Sequence, residues 1–314
     1  MAIDLAERPA SRGGAHARRQ DRSKLQKFVP LILVLAGLVV MLYPVLATLL
    51  NNSQQSGEAR AYTEQIQSAT TAAEREAAIA SARKWNEENQ GRPVLDPWLA
   101  RITEDNDDYR AYLAELSLSD AMGRVIIPSI KSDLPVYHGT TEKVLQNGIG
   151  HLFGSSLPVG GAGTHAVLTG HTGLAASMLW DNLTDVREGD AFYLQVAGEK
   201  MKYVVDDIRV VEPQDTGTLV PEEGLDQVTL ITCTPYGINT HRLLVTGQRA
   251  PLDPDDEQVF AAHHSPWQWW QTAVLAVVAV VLAVIIYRAL RARRATSVAP
   301  VAGAGRAAEP GKEK

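Results

Sequence analysis

Two unbroken apolar runs bracket a long stretch in which apolar residues come only in short bursts. Residues 28–50 carry no charge over 23 positions, and residues 272–287 carry none over 16. With Trp267, Trp269 and Trp270 beside it, the second run reaches the roughly 20 residues that a membrane-spanning helix needs. Pro30 and Pro44 stand near the ends of the first run, where a helix tolerates them. Between the runs, residues 57–89 are rich in Ala, Glu, Gln and Arg and lack proline, which predicts one long helix of modest amphipathicity. Gly91-Arg-Pro-Val-Leu-Asp-Pro-Trp98 interrupts that texture. A second helical stretch over 107–118 puts Tyr109, Leu113 and Leu116 on one side. From Gly123 onward the pattern changes to short Val-, Ile-, Leu- and Tyr-rich runs separated by Gly, Pro and Asp. These predict strands at 124–127, 166–169, 191–196, 201–211, 228–233 and 242–247. Six or more short strands in roughly 130 residues predict a mainly β fold that closes, or nearly closes, into a barrel.

Charge gives the apolar runs a direction. Residues 1–50 hold seven Lys/Arg against three Asp/Glu, residues 51–271 hold 16 against 31, and residues 272–314 hold seven against two. Net charges of +4, −15 and +5 put the basic residues outside both runs. The positive-inside tendency therefore predicts cytoplasmic termini and an exported centre in a two-pass membrane protein. The first run exceeds a signal-peptide core and no Ala-x-Ala pattern follows it closely, so it reads as a retained anchor. The expected organisation is a basic tail (1–27), a membrane helix (28–50), a helical segment (51–120), a β-barrel (121–250), a linker (251–269), a second membrane helix (270–287) and a basic tail (288–314). The acidic centre argues against nucleic acid as a partner. Asp253, Asp255, Asp256 and Glu257 read as a solvated acidic stalk without a calcium-loop pattern.

The chain has a single cysteine, Cys233, so it forms no internal disulfide and supplies no multi-thiolate metal site. Cys233 ends one predicted strand and Arg242 begins the next, with Pro235, Gly237 and Asn239 between them as turn residues. A thiolate attacks carbonyls, and a fixed guanidinium stabilises the oxyanion that results. A thiol of ordinary pKa, about 8.5, needs a base or a cation beside it to react at neutral pH. His138, His151, His165, His171 and His241 all lie in the central block, and residue chemistry alone does not choose among them. His171 follows an apolar strand and stands between Gly170 and Gly173, where a side chain can project from a strand end. His165 and His171 have no Cys pair or His-Glu-x-x-His pattern to support them as zinc ligands, so no metal and no cofactor is expected.

The run Cys233-Thr-Pro-Tyr-Gly-Ile-Asn-Thr-His-Arg-Leu-Leu-Val resembles the active-site signature of class C sortases, the pilus-assembling cysteine transpeptidases. So do Ile126-Ile-Pro-Ser-Ile130, Leu134-Pro-Val-Tyr-His-Gly139, Gly150-His-Leu-Phe-Gly-Ser-Ser-Leu-Pro-Val-Gly-Gly161 and Thr169-Gly-His171-Thr-Gly173. These matches cover roughly residues 121–249, in the family's order. The resemblance implies a sortase barrel of about eight strands. It implies Cys233 as nucleophile, His171 as acid and base and Arg242 as oxyanion stabiliser, with Thr232 and Tyr236 lining the cleft and His165 and His241 in supporting roles. It also implies a lid, with Asp96-Pro97-Trp98 seated over the active site, Trp98 covering Cys233 and Asp96 engaging the cationic side. The expected partners are pilins that carry a Leu-Pro-x-Thr-Gly-like sorting signal and an acceptor lysine. A housekeeping sortase that anchors proteins to cell-wall precursor, or a catalytically idle scaffold that binds pilins, are the alternatives.

Overall fold

The computed structural model describes residues 15–89, 106–174, 177–262 and 267–297. The described residues fall into two compact units. One runs from Pro44 to Trp267, and the other comprises the residues up to Tyr43 together with those from Gln268 onward.

The first helix, α1 (Ala15–Ala69), is longer than its sequence pattern predicts. The apolar run and the following polar segment form one helix, unbroken at Pro30, Pro44 and the polar stretch 51–56. In that stretch Ser53 Oγ donates back to Leu50 O (2.8 Å), and Gln54 Nε2 reaches Glu58 Oε1 one turn on (2.9 Å). The expected single helix over 57–89 instead breaks at Thr70–Thr71. Thr71 caps α2 (Ala72–Glu88) through a reciprocal capping box with Glu74. The Thr-x-x-Glu signal for this break lies in the sequence. Helix α3 (Asp107–Ala114) stops short of Leu118, because Glu115 is already extended and Leu116 adopts φ 49°. Its buried side chains are Tyr109 and Tyr112, while Leu113 is exposed. The Tyr112 hydroxyl explains the choice, since it meets His151 Nδ1 (2.9 Å) and accepts from Gly139 N (3.0 Å).

There follow β1 (Gly123–Ile127), β2 (Ser132–His138), the short helix α4 (Glu142–Asn147), β3 (Ile149–His151) and β4 (Thr164–Thr169). Then come β5 (Ala191–Val196), β6 (Glu199–Val211), β7 (Asp226–Thr234), β8 (His241–Ala250), α5 (Glu257–Ala261) and α6 (Trp269–Ser297). The strands close into a barrel in the order β1-β2-β3-β4-β7-β8-β6-β5. The expected mainly β barrel is therefore what forms. Strands β2 and β3 escaped prediction for physical reasons. β3 is three residues long, and β2 carries Pro135 and a buried Asp133 whose charge is met by Arg124 Nε at 2.7 Å.

Both faces of several strands are buried, so their apolar residues show no strict alternation and buried polar side chains such as Arg124, Thr229 and Thr232 stand among them. Val125, Leu168, Leu194, Leu230 and Val245 belong to the main core. On the outer face, Val167, Ile231 and Leu244 pack under Leu219, while Ile126 and Tyr193 pack under Phe260 of α5. Each such side chain is stabilised by about 1.5–3 kcal/mol through burial. The acidic segment after the barrel is not a free stalk. Asp256 is buried and accepts from Tyr193 OH (2.7 Å) and Lys202 Nζ (2.9 Å), and Lys202 also reaches Asp253 (2.8 Å). This apposition of lysine and two carboxylates offsets the burial of Asp256.

Two helical stretches, Val29–Ala69 and Trp269–Arg291, contain windows long and apolar enough to cross a membrane. Ile32, Leu33, Val39 and Val40 of α1, and Val280 and Ile286 of α6, expose their side chains. Exposed apolar faces of this extent suit a lipid solvent.

Candidate active site

Cys233 and Arg242 are cross-strand partners in the antiparallel β7–β8 ladder, so their side chains leave the same face. Both are buried, at 7% and 6% exposure. On the other side of β7 lies β4, paired in parallel with Thr169 opposite Ile231. Two bonds carry that register beyond the strand. Gly170 N donates to Ile231 O (3.0 Å), and Thr232 Oγ1 donates to Gly170 O (2.8 Å). β4 ends at Thr169, and His171 follows two residues on, in the loop that leaves β4 beside the end of β7. Cys233 and Arg242 thus face each other across neighbouring strands, with His171 just past the end of the third.

The residues around this group fix it. Gly170 is required by close approach, since a Cβ there would lie 2.7 Å from Ile149 Cδ1 and 2.8 Å from the Trp180 ring. Trp180 is fully buried and its backbone N–H donates to His171 O (3.2 Å). Asp181 Oδ1 accepts from Gly173 N (2.7 Å) and Thr172 Oγ1 (3.1 Å), closing the loop that begins at His171. Burial pushes the Asp181 carboxyl up, and the two donors pull it part of the way back. Glu142, at the start of α4, places Oε2 3.6 Å from His171 Nε2. Arg242 Nη1 is held by the turn carbonyls of His241 (3.3 Å) and Asn239 (3.4 Å). That leaves a guanidinium fixed at its rim, with five donors in its inventory.

Other sequence expectations land elsewhere. Thr232 is fully buried, and its hydroxyl donates to Gly170 O, which ties the end of β4 to β7. Tyr236 sits exposed in the β7–β8 turn, and burial and Asp181 push its hydroxyl up. His165 is buried with Nε2 2.6 Å from Thr229 Oγ1. His241 is exposed at the turn beside Thr240. His151 is buried in the network with Tyr112 and Ser156, and burial lowers its pKa to about 4. Asp96, Pro97 and Trp98 lie outside the described residues. Among the described residues no group of three or more His, Cys, Asp or Glu is placed to hold a metal. Sequence reasoning missed Gly170, Trp180 and Asp181. The paired glycines around His171 were the one signal present, and Trp180 and Asp181 carried none.

The profile of the Sortase domain family matches residues 125–250, which span the barrel. Sortase C-1 of Actinomyces oris is 51% identical in its solved structure, covering 57% of this chain and 99% of that one at a TM-score of 0.55. The chain belongs to the sortase family. Sortase C of Streptococcus pneumoniae, a structure described in terms of pilin substrate specificity, is 40% identical over 60% of this chain and 94% of its own, at a TM-score of 0.55. Sortase A of Bacillus anthracis is 33% identical over 134 residues, 43% of this chain. The match takes in 62% of the length of that curated relative. In this sortase the aligned barrel is the part that carries Cys233, His171 and Arg242.

Proposed function

We propose that this protein is a class C sortase, a cysteine transpeptidase that joins pilins. The observation that carries the reading is the cross-strand pair Cys233–Arg242 on β7 and β8, with His171 two residues past the end of β4, the strand that pairs with β7. The likeness to sortase C-1 of Actinomyces oris and to a sortase C tied to pilin specificity favours pilins over cell-wall precursor as the acceptor side. In the forward half-reaction the Cys233 thiolate adds to the threonine carbonyl of a Leu-Pro-x-Thr-Gly-like signal. Arg242 donates to the oxyanion of the tetrahedral adduct. The imidazolium of His171 gives its proton to the departing glycine amine, and a thioester on Cys233 remains. In the second half a lysine amine of the next pilin attacks the thioester carbonyl. His171 takes a proton from that amine, the thiolate leaves, and an isopeptide bond remains.

The buried setting of Cys233 and Arg242 suits this chemistry, because charge developing in a water-poor site responds strongly to a fixed cation. The test is intact-mass analysis of the full chain in detergent with a sorting-signal peptide. One acyl adduct, absent from Cys233→Ala, is expected, and a lysine-bearing pilin fragment should discharge it. Cys233→Ser should be nearly as poor as Cys233→Ala. Peptide cleavage that persists in Cys233→Ala would overturn the reading.

A further inference from the structure

The loop between β4 and β5 presents His171, and its outer part is held by α1, just past that helix's apolar run. Asn52 Oδ1 of α1 accepts from Met178 N (3.2 Å), and Gln55 Oε1 accepts from Ser177 Oγ (3.1 Å). Gln55 Nε2 also donates to Gln146 O at the end of α4 (3.4 Å). These are not surface contacts, for Asn52, Gln55 and Ser177 are all buried, at 8%, 5% and 5% exposure. From Met178 the path to the imidazole is short. Asp181 N donates to Met178 O (2.7 Å), closing the turn that carries Trp180 and Asp181. Trp180 N then bonds His171 O, and Asp181 Oδ1 holds Thr172 and Gly173.

We propose that Asn52 and Gln55 of α1 are positioning residues for His171, bracing from the helix side the loop that sets the imidazole against Cys233. This rests on the role given to His171 above. α1 is a single helix, and these two residues lie just past its apolar run. The rest of the loop is fixed at its base, by Trp180 and Asp181. The brace therefore governs the orientation of His171 more than the stability of the barrel. A reacting group misplaced by about 1 Å costs on the order of a hundredfold in rate, so a partial loss of orientation is enough to be measured.

The experiment compares Asn52→Leu, Asn52→Asp and Gln55→Met with wild type, as full chains in detergent. Three quantities are read: kcat and KM for sorting-peptide cleavage, the pH profile of iodoacetamide alkylation of Cys233, and Tm. The charged groups nearest His171 are Glu142 of α4 (3.6 Å) and Asp181 at the base of its loop, and neither these nor Cys233 and Arg242 are altered. Asn52→Leu and Gln55→Met should lower kcat roughly tenfold with KM little changed, as expected when a buried donor loses its acceptor. They should also move the midpoint of the alkylation profile. Asn52→Asp keeps an accepting oxygen for Met178 N and should restore most of both. Unchanged kcat and alkylation in Asn52→Leu and Gln55→Met would overturn the proposal, as would losses that Asn52→Asp does not relieve or that merely follow a fall in Tm. A wild type that neither cleaves the peptide nor forms the adduct would instead overturn the transpeptidase reading, while the alkylation profiles would still decide the brace.

Discussion

Arg242 has the strongest case for an energetic role at the level of single residues. It is buried, anchored by two turn carbonyls and paired across the ladder with Cys233. Loss of one oxyanion donor typically costs on the order of 10²–10³ in kcat. Arg242→Ala should lose about that much in peptide cleavage while KM changes little. Arg242→Lys should recover only part, since an ammonium lacks the planar fork. Equal steady-state rates for Arg242→Ala and wild type would remove the guanidinium from the reaction. His151 makes a prediction of a different kind. Its Nε2 lies 2.8 Å from Ser156 O and so must carry the proton, while Nδ1 accepts from Tyr112 OH. Burial lowers its folded pKa to about 4, against 6.5 for the unexposed-to-burial reference state of an unfolded chain. Between those values the unfolded chain binds a proton that the folded chain refuses. Stability is thus complete above about pH 6.5 and falls as the pH drops towards 4, by at most about 3 kcal/mol from this residue. Urea unfolding at several pH values should show that slope, and His151→Gln should flatten it even though it lowers stability at pH 7. Cys233 and Arg242 were legible because a lone cysteine and a turn-spaced arginine are local in sequence. Asp181 and Asn52 were not, since nothing local to either residue says which loop it will hold.

At the scale of elements, what the sequence could show was set by burial on both faces. β4 read correctly as a short apolar run, and β7 as a strand that mixes polar and apolar positions. β2 did not, because the burial of Asp133 depends on Arg124, nine residues away on β1. The boundary between α1 and α2 was written in Thr71 and Glu74, yet the Ala- and Glu-rich texture on both sides hid it. α2 in turn is docked by Ile79 and Ala82 in the main core and by one buried polar side chain. Asn86 is buried, its Nδ2 donates to Leu157 O (3.0 Å) and its Oδ1 accepts from Leu157 N (2.7 Å), matching the backbone as another strand would. Truncation leaves Leu157 N without its acceptor, while Leu157 O keeps the Val159 N–H (2.8 Å), and a buried unsatisfied group costs about 1–3 kcal/mol. Asn86→Ala should therefore lower stability by about 1–3 kcal/mol in urea unfolding. Asn86→Asp, which keeps the acceptor for Leu157 N but loses the donor, should fall between it and wild type. A change below about 0.5 kcal/mol, the range of ordinary surface substitutions, would mean that α2 is held by its apolar contacts alone.

For the whole molecule, the question is which side of a membrane the barrel occupies. The two apolar runs enclose the net acidic block, and the net basic segments stand outside both. Arg288, Arg291, Arg293 and Arg294 follow the uncharged run 272–287 directly, close enough to its end to count in setting orientation. In the first, Arg18, Arg19, Arg22, Lys24 and Lys27 precede the apolar run. Moving either cluster through a bilayer would cost several kcal/mol per charge, so both should stay on the cytoplasmic face. A sorting signal and a pilin acceptor are used outside the cell in the reading proposed here, and the positive-inside tendency predicts the barrel there. Protease added to intact protoplasts should therefore cut a tag inserted beside Asp255, while tags at residues 10 and 305 survive until the membrane is opened. Replacing Arg288, Arg291, Arg293 and Arg294 together with glutamine should weaken that protection at residue 305 first, because the second span then loses its nearest positive charges. Tags at both ends that are cut in intact cells would reverse the orientation. A mature chain starting shortly after Leu50 would show that the first span is removed and that one anchor remains.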